Sequence, residues 1–128
     1  MALPNGAGGY QLGDGNLNEV VLSVSTVLAK TAAATLTAAE LVNDVITYNG
    51  ATANLTLPLA TDVDTFVSSA KVNSSFQFAI VNTGSNTATV VTNTGWTLVG
   101  SMAVATAVSG QFLAIKTGTG TWSLYRIA

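Results

Sequence analysis

The chain has 128 residues, 48% hydrophobic and 8% charged, with no Cys, no His and a net charge of −2 at pH 7. That length suits one domain burying about 68–70% of its unfolded surface, so a core needing no metal or disulfide is attainable. Lacking Cys and His, the chain has no disulfide, thiol nucleophile, imidazole base or ordinary zinc site, and its four scattered basic residues make a phosphate-binding surface a poor expectation.

Typical domains are about 25% charged. The polar surface here must therefore be Thr, Ser, Asn and Gln, which hydrogen-bond well and offer little charge repulsion against association. This favours a permanently assembled protein. No uncharged apolar helix of membrane-spanning length is expected, because Thr and Ser interrupt every apolar run. The opening residues lack the basic and apolar regions of a signal peptide, so use without Sec export is expected.

Residues 1–19 hold five of the chain's 12 Gly, at positions 6, 8, 9, 13 and 15. Gly loses the most entropy on ordering, so this stretch forms no stable element alone. Its apolar residues Leu3, Tyr10, Leu12 and Leu17 follow no period. It reads either as a loose terminal tail or as an arm ordered on a partner, with those four as anchors. The expected organisation is an arm over 1–19 and a β domain over 20–128.

Val20–Leu28 is β-branched and reads as a first strand, with Ala29–Ala34 as a link or edge. Thr37-Ala38-Ala39-Glu40 matches the capping box and predicts a short helix. Asn49-Gly50 is a hairpin signal, so Asp44–Tyr48 is expected to pair antiparallel with Ala53–Leu57, and Pro58 to end that ladder. A second short helix is expected from Thr61 as cap. Asp62 and Asp64 would lie in its first turn, and Val63, Phe66 and Val67 on one face.

From Ser75 onward the chain reads as successive short strands: Ser75–Asn82, Thr87–Thr92, Trp96–Val99, Met102–Thr106, Ser109–Thr117 and Thr121–Ile127. Each is bounded by Gly, Asn or Ser. Phe76, Phe78 and Ile80 share a face expected to point to the core; in the last strand Trp122 and Leu124 share one face with Arg126, and Ser123, Tyr125 and Ile127 share the other. With turns every 8–12 residues, the expectation is an all-β fold. It would be an antiparallel β-sandwich or compact barrel of about eight strands, with one or two short helices. No clean internal repeat is visible.

Catalytic groups are hard to assemble from this sequence. Of the carboxylates Asp14, Glu19, Glu40, Asp44, Asp62 and Asp64, Glu40 is accounted for by its cap, and Asp62 and Asp64 by a helix N-terminus. Asp14–Glu19 only faintly resembles a calcium loop, lacking its spacing and terminal Glu. Gly6, Gly9, Gly13 and Gly15 follow no strand and precede no Lys, so they form no phosphate loop. Trp96, Trp122, Tyr48 and Tyr125 suit either a sugar-stacking platform or, more simply, core and interface anchors. No enzyme activity, cofactor, metal or small-molecule substrate is expected.

Three stretches together carry a resemblance. They are Ala2–Asn16 (ALPNGAGGYQLGDGN); Leu36-Thr37-Ala38-Ala39-Glu40-Leu41 with Leu55-Thr56-Leu57-Pro58; and Phe76–Gly84 with the ending Thr121-Trp122-Ser123-Leu124-Tyr125-Arg126. The chain resembles small tailed-bacteriophage head decoration (cement, capsid-stabilising) proteins over nearly its whole length. The resemblance implies a homotrimer on the outer surface of the expanded head, made in the host cytoplasm. It would bridge neighbouring major capsid proteins, without nucleic acid or membrane as partner. Leu3, Tyr10, Leu12 and Leu17 would then be capsid contacts of the arm. A tail-fibre or receptor-binding β domain and a carbohydrate-binding module are the rival expectations.

Overall fold

The computed structural model describes residues 25–128. The expected arm over 1–19 and the 20–24 part of the expected first strand lie outside the described residues. Ten strands are formed among those described: β1 (Leu28–Lys30), β2 (Ala34–Thr35), β3 (Val45–Tyr48), β4 (Ala53–Thr56), β5 (Ser75–Asn82), β6 (Ala88–Val91), β7 (Trp96–Val99), β8 (Ala103–Val104), β9 (Ser109–Gly118) and β10 (Thr121–Arg126). Two short helices, α1 (Ala38–Leu41) and α2 (Ala60–Phe66), follow β2 and β4.

The strands form two sheets, one of six in the order β1-β3-β5-β9-β10-β7 and one of four in the order β2-β4-β6-β8. The chain alternates between them from β1 through β9. Three rungs are thereby stacked, β1 with β2, β3 with β4 and β5 with β6, and the pairings between rungs are parallel. Leu28, Ile46 and Ile80 stand in register in the larger sheet, and Ala34, Leu55 and Val90 in the smaller. The last part of the chain closes the larger sheet differently. β9 runs antiparallel to both β5 and β10, and β7 lies parallel to β10.

The expected β-rich class with two short helices holds, while the antiparallel pairing expected throughout does not. Five pairings are parallel and three antiparallel, so the sheets are mixed. The two ladders are separate, with β1 and β7 at the edges of one and β2 and β8 at the edges of the other. The expected hairpin of Val45–Tyr48 against Asn54–Leu57 is not formed: β3 and β4 lie in different sheets, and each pairs with the strand above or below it in the stack. The turns at Thr83–Asn86 and Thr94-Gly95 likewise carry the chain from one sheet to the other. Only Gly118-Thr119-Gly120 closes an antiparallel hairpin of the expected kind, β9 with β10.

Gly50 shows why the Asn-Gly signal misleads here. Its φ is not positive; among the described glycines the positive values fall at Gly95, Gly100 and Gly120. What matters is the missing side chain. A Cβ on Gly50 would stand 2.1 Å from the Thr31 carbonyl oxygen, on the corner of the rung below. The same corners are tied by backbone bonds: Asn49 N–H donates to the Lys30 carbonyl (3.0 Å) and Thr83 N–H to the Tyr48 carbonyl (2.9 Å). Gly50→Ala is expected to lower stability by about 1–3 kcal/mol, because backbone must move to admit the methyl group. Gly84→Ala is expected to cost less, since its nearest obstacle at 2.9 Å is the Asn49 side-chain oxygen, which can turn aside. Denaturant midpoints of the two variants check the order.

The inward faces of both sheets share one core. Ile46, Tyr48, Phe78, Ile80, Phe112, Trp122 and Leu124 come from the larger sheet, and Leu55, Val90 and Val104 from the smaller. Phe78 and Phe112 stack at 5.2 Å between centroids, and Trp122 lies 5.5 Å from Phe76 and 6.1 Å from Trp96. Alternation along β5, β9 and β10 therefore places the Phe and Trp faces inward, as the sequence pattern requires.

The α1 cap forms as expected. Glu40 N–H donates to Thr37 Oγ1 (3.2 Å), and Thr37 N–H donates to Glu40 Oε1 (3.0 Å). The second helix starts earlier than expected. Its N-cap is Leu59, Thr61 lies inside it, and only Asp62 of the two aspartates falls in the first turn. Val63 is buried but Phe66 points outward, 54% exposed. The Asp64 carboxylate is drawn instead towards the β9–β10 hairpin.

Candidate functional site

Leu3, Tyr10, Leu12 and Leu17 all lie outside the described residues. Within residues 25–128, Asp64, Glu40, Arg126 and Asn82 are held by the fold itself, while Asp62 lines the groove between the two helices. Asp64 reaches across from α2, where its Oδ1 accepts from Trp122 Nε1 (2.8 Å) and lies 2.9 Å from Lys116 Nζ. Its Oδ2 accepts from Gly120 N–H (2.5 Å). Burial pushes its carboxyl up. The Lys116 hydrogen bond, the Gly120 and Trp122 donors and the Lys116 charge together outweigh that and hold it below the ordinary value.

Glu40 behaves alike. Burial raises it, but the Thr37 N–H and the Lys30 ammonium at 2.9 Å leave it lowered. Arg126 donates from Nε to the Ala128 carbonyl (2.5 Å) and from Nη1 to the Ala103 carbonyl (2.8 Å), and lies 5.6 Å from the centre of the Phe112 ring. Asn82, 2% exposed, donates to the Asn86 and Val104 carbonyls and accepts from Gly84 N–H. These groups fasten corners, helices and strand ends. None converges with another on an open cleft where a reacting atom could sit.

The aromatic residues considered as a sugar platform divide in the same way. Tyr48, Trp96 and Trp122 are core residues, at 0%, 8% and 1% exposure. The Trp96 and Trp122 N–H groups are used on the Pro58 carbonyl and Asp64. Tyr125 alone of the four faces outward, so no stacked aromatic surface is assembled by them.

Among the described residues, two surfaces face outward without a covering element. The first is a groove of about 750 Å³ between α1 and α2, lined by Leu36, Thr37, Pro58, Leu59, Phe66 and Asn93 among others. Leu59 and Phe66 are 40% and 54% exposed beside it. The sequence reading missed this groove because it turned Phe66 inward; the inward stripe of α2 is Ala60, Val63 and Val67, which leaves Phe66 at its margin.

The second is the outer face of the six-stranded sheet. Register places Gln77, Leu113, Tyr125 and Val99 side by side across β5, β9, β10 and β7. The next row is Ser75, Ile115, Ser123 and Thr97. The strand alternation already set Ser123, Tyr125 and Ile127 opposite Trp122; only the pairing order was missing to join them to Leu113 and Val99.

No family model matches the chain, and neither a curated protein nor a solved structure matches it.

Proposed function

We propose that the chain is a structural virion protein of the decoration (cement) type. It binds the outer surface of an expanded phage head as a trimer and stabilises it by bridging major capsid proteins. The observation that carries this is how polar groups are distributed over the fold. The strongly polar side chains Asp64, Lys116, Arg126, Asn82 and Glu40 are used inside the fold, while the outward sheet positions are Thr, Ser, Gln, Asn and apolar residues. Such a surface suits standing protein–protein contact rather than turnover of a substrate. On this reading the protein has no catalytic role and takes no cofactor.

The arm supplies avidity. Three arms on one trimer dissociate slowly even when each binds weakly, because rebinding is intramolecular. Leu3, Tyr10, Leu12 and Leu17 are its proposed capsid anchors. The experiment is light scattering on the purified chain followed by co-sedimentation with expanded, undecorated heads. A particle of about 39 kDa, three times the 12.9 kDa chain, that pellets with the heads is the expected result. Deleting residues 1–17 is expected to leave the β body folded and to abolish pelleting. Unfolding of that truncated chain would place the arm in the core and sink the model.

A tail-fibre or receptor-binding domain is the second reading, favoured by one observation. The parallel stack ends in the short edge strands β1 and β2, and a stack of this kind lengthens by adding rungs at such an end. Binding to isolated tails instead of heads in the same sedimentation experiment would select it.

A further inference from the structure

We propose that the outer face of the six-stranded sheet, centred on the row Leu113, Tyr125 and Val99, is the surface on which a second copy of this chain packs. The inference deepens the reading above by placing the homo-oligomer contact. It rests on the self-association in that reading and not on shell binding.

The first argument is charge. Every charged side chain on this sheet, Lys30, Lys116 and Arg126, belongs to the inward-facing set of its strand. The outward set carries none. A partner surface rich in Lys or Glu would lose hydration against it and gain no ion pair. An identical face brings no strand charge against another; the Asp44 carboxylate stands at its border beside Gln77 and Gln111, away from the Leu113–Tyr125–Val99 row.

The second argument is side-chain chemistry. Leu113, Ile115, Tyr125 and Val99 form a contiguous apolar centre, and Gln77 and Gln111 border it, the Gln111 amide donating to Gln77 Oε1 at 2.8 Å. Amide side chains both donate and accept, so two symmetry-related copies can satisfy each other. Val99 and Ile127 remain 44% and 47% exposed. The outer face of the four-stranded sheet is built differently. Of its outward positions Thr35, Asn54, Thr56, Thr89, Val91 and Ala103, four are polar and none is a large apolar or aromatic residue beyond Val91.

The third argument is size. Six strands about 4.8 Å apart and averaging about 20 Å in length give a projected patch on the order of 500 Å². Its accessible area is larger, in the range of the roughly 800 Å² each partner of a stable complex buries. Like faces turned toward one axis make a closed assembly, two across a two-fold or three about a three-fold.

The test uses the full chain and two variants, Leu113→Arg in the centre and Val99→Arg on the edge strand, with Asn54→Arg on the other sheet as control. Each arginine would be placed unpaired and desolvated against the apolar face of the partner copy. Light scattering is expected to show the wild type and Asn54→Arg as one multiple of 12.9 kDa, and both face variants at 12.9 kDa with wild-type circular dichroism. Val99 sits at an edge and is half exposed, so its variant remains informative if Leu113→Arg does not fold. A wild-type monomer overturns the proposal, as does a face variant that keeps the wild-type mass, or equal dissociation of Asn54→Arg. Co-sedimentation with heads is scored separately. An oligomer undisturbed by the face variants that still pellets refutes this interface and leaves the decoration reading standing, whereas face variants that fall to monomers of a wild type that ignores heads do the reverse.

Discussion

Trp122→Ala is expected to cost about 3–5 kcal/mol, the range for removing a large aromatic side chain from a packed core. Trp122 is 1% exposed and stands between Phe76 and Trp96, so neighbouring side chains cannot collapse into the space without leaving their own contacts. Its indole also joins the larger sheet to α2 through Asp64. Against a total stability of about 5–15 kcal/mol such a loss brings the protein near its unfolding midpoint. Two companion variants separate the contributions. Trp122→Phe retains most of the packing but leaves Asp64 without the indole donor, and is expected to lose about 1.5–3 kcal/mol, the range for a hydrogen bond to a charged group. Tyr125→Ala, on the opposite face of the same strand, is expected to lose less than about 1 kcal/mol in the dissociated chain. Urea titrations of the three give the order. Equal losses for Trp122 and Tyr125 would refute the assignment of β10's two faces.

The faces of β10 were legible in the sequence because alternation survives any choice of partner strand. The same holds for β5, where Phe76, Phe78 and Ile80 fall inward, and for the Thr37–Glu40 cap, whose two reciprocal bonds are local. What the sequence did not show was which strands pair. Asn49-Gly50 and Thr83-Gly84 look like hairpin turns because glycine usually marks a positive φ. In this fold the two glycines make room where one rung's corner rests on another. Close approach and unusual φ leave the same letter in the sequence. The stack was hidden for a second reason. Leu28 to Ile46 is a step of 18 residues and Ile46 to Ile80 one of 34, since connections of unequal length, carrying α1 and α2, intervene. No fixed period survives such insertions. The groove beside Phe66 was missed because the buried stripe of α2 is Ala60, Val63 and Val67, not Val63, Phe66 and Val67; the cap expected at Thr61 left Ala60 out of the helix, and with Ala60 in the stripe Phe66 falls at its margin.

Asp64→Ala is the other substitution of large expected effect, about 2–4 kcal/mol, and it ties stability to pH. Removing the carboxylate leaves the Gly120 N–H, the Trp122 Nε1 and the Lys116 ammonium without their acceptor. The Lys116 side chain is only 13% exposed, so water replaces the lost partner poorly. In the native protein the Asp64 carboxyl lies below its ordinary value of 3.8, whereas the unfolded chain titrates near about 3.9. The folded state therefore favours the charged form. The stabilisation is fully present above the unfolded value and is lost as pH falls through the folded one. Glu40, lowered from 4.5 by its cap and by Lys30, adds a contribution of the same sign. Wild-type stability is thus expected to be level as pH falls from neutrality to about 5, and to decline below about pH 4. Asp64→Asn, less stable at neutral pH, is expected to show a shallower acid decline, because its amide does not titrate. The Asp64→Asn, Glu40→Gln double variant is expected to be shallower still. Urea midpoints measured from pH 7 to pH 2 decide it. An acid decline unchanged in Asp64→Asn would mean that the tether between α2 and the β9–β10 hairpin is carried by packing and not by this ion pair.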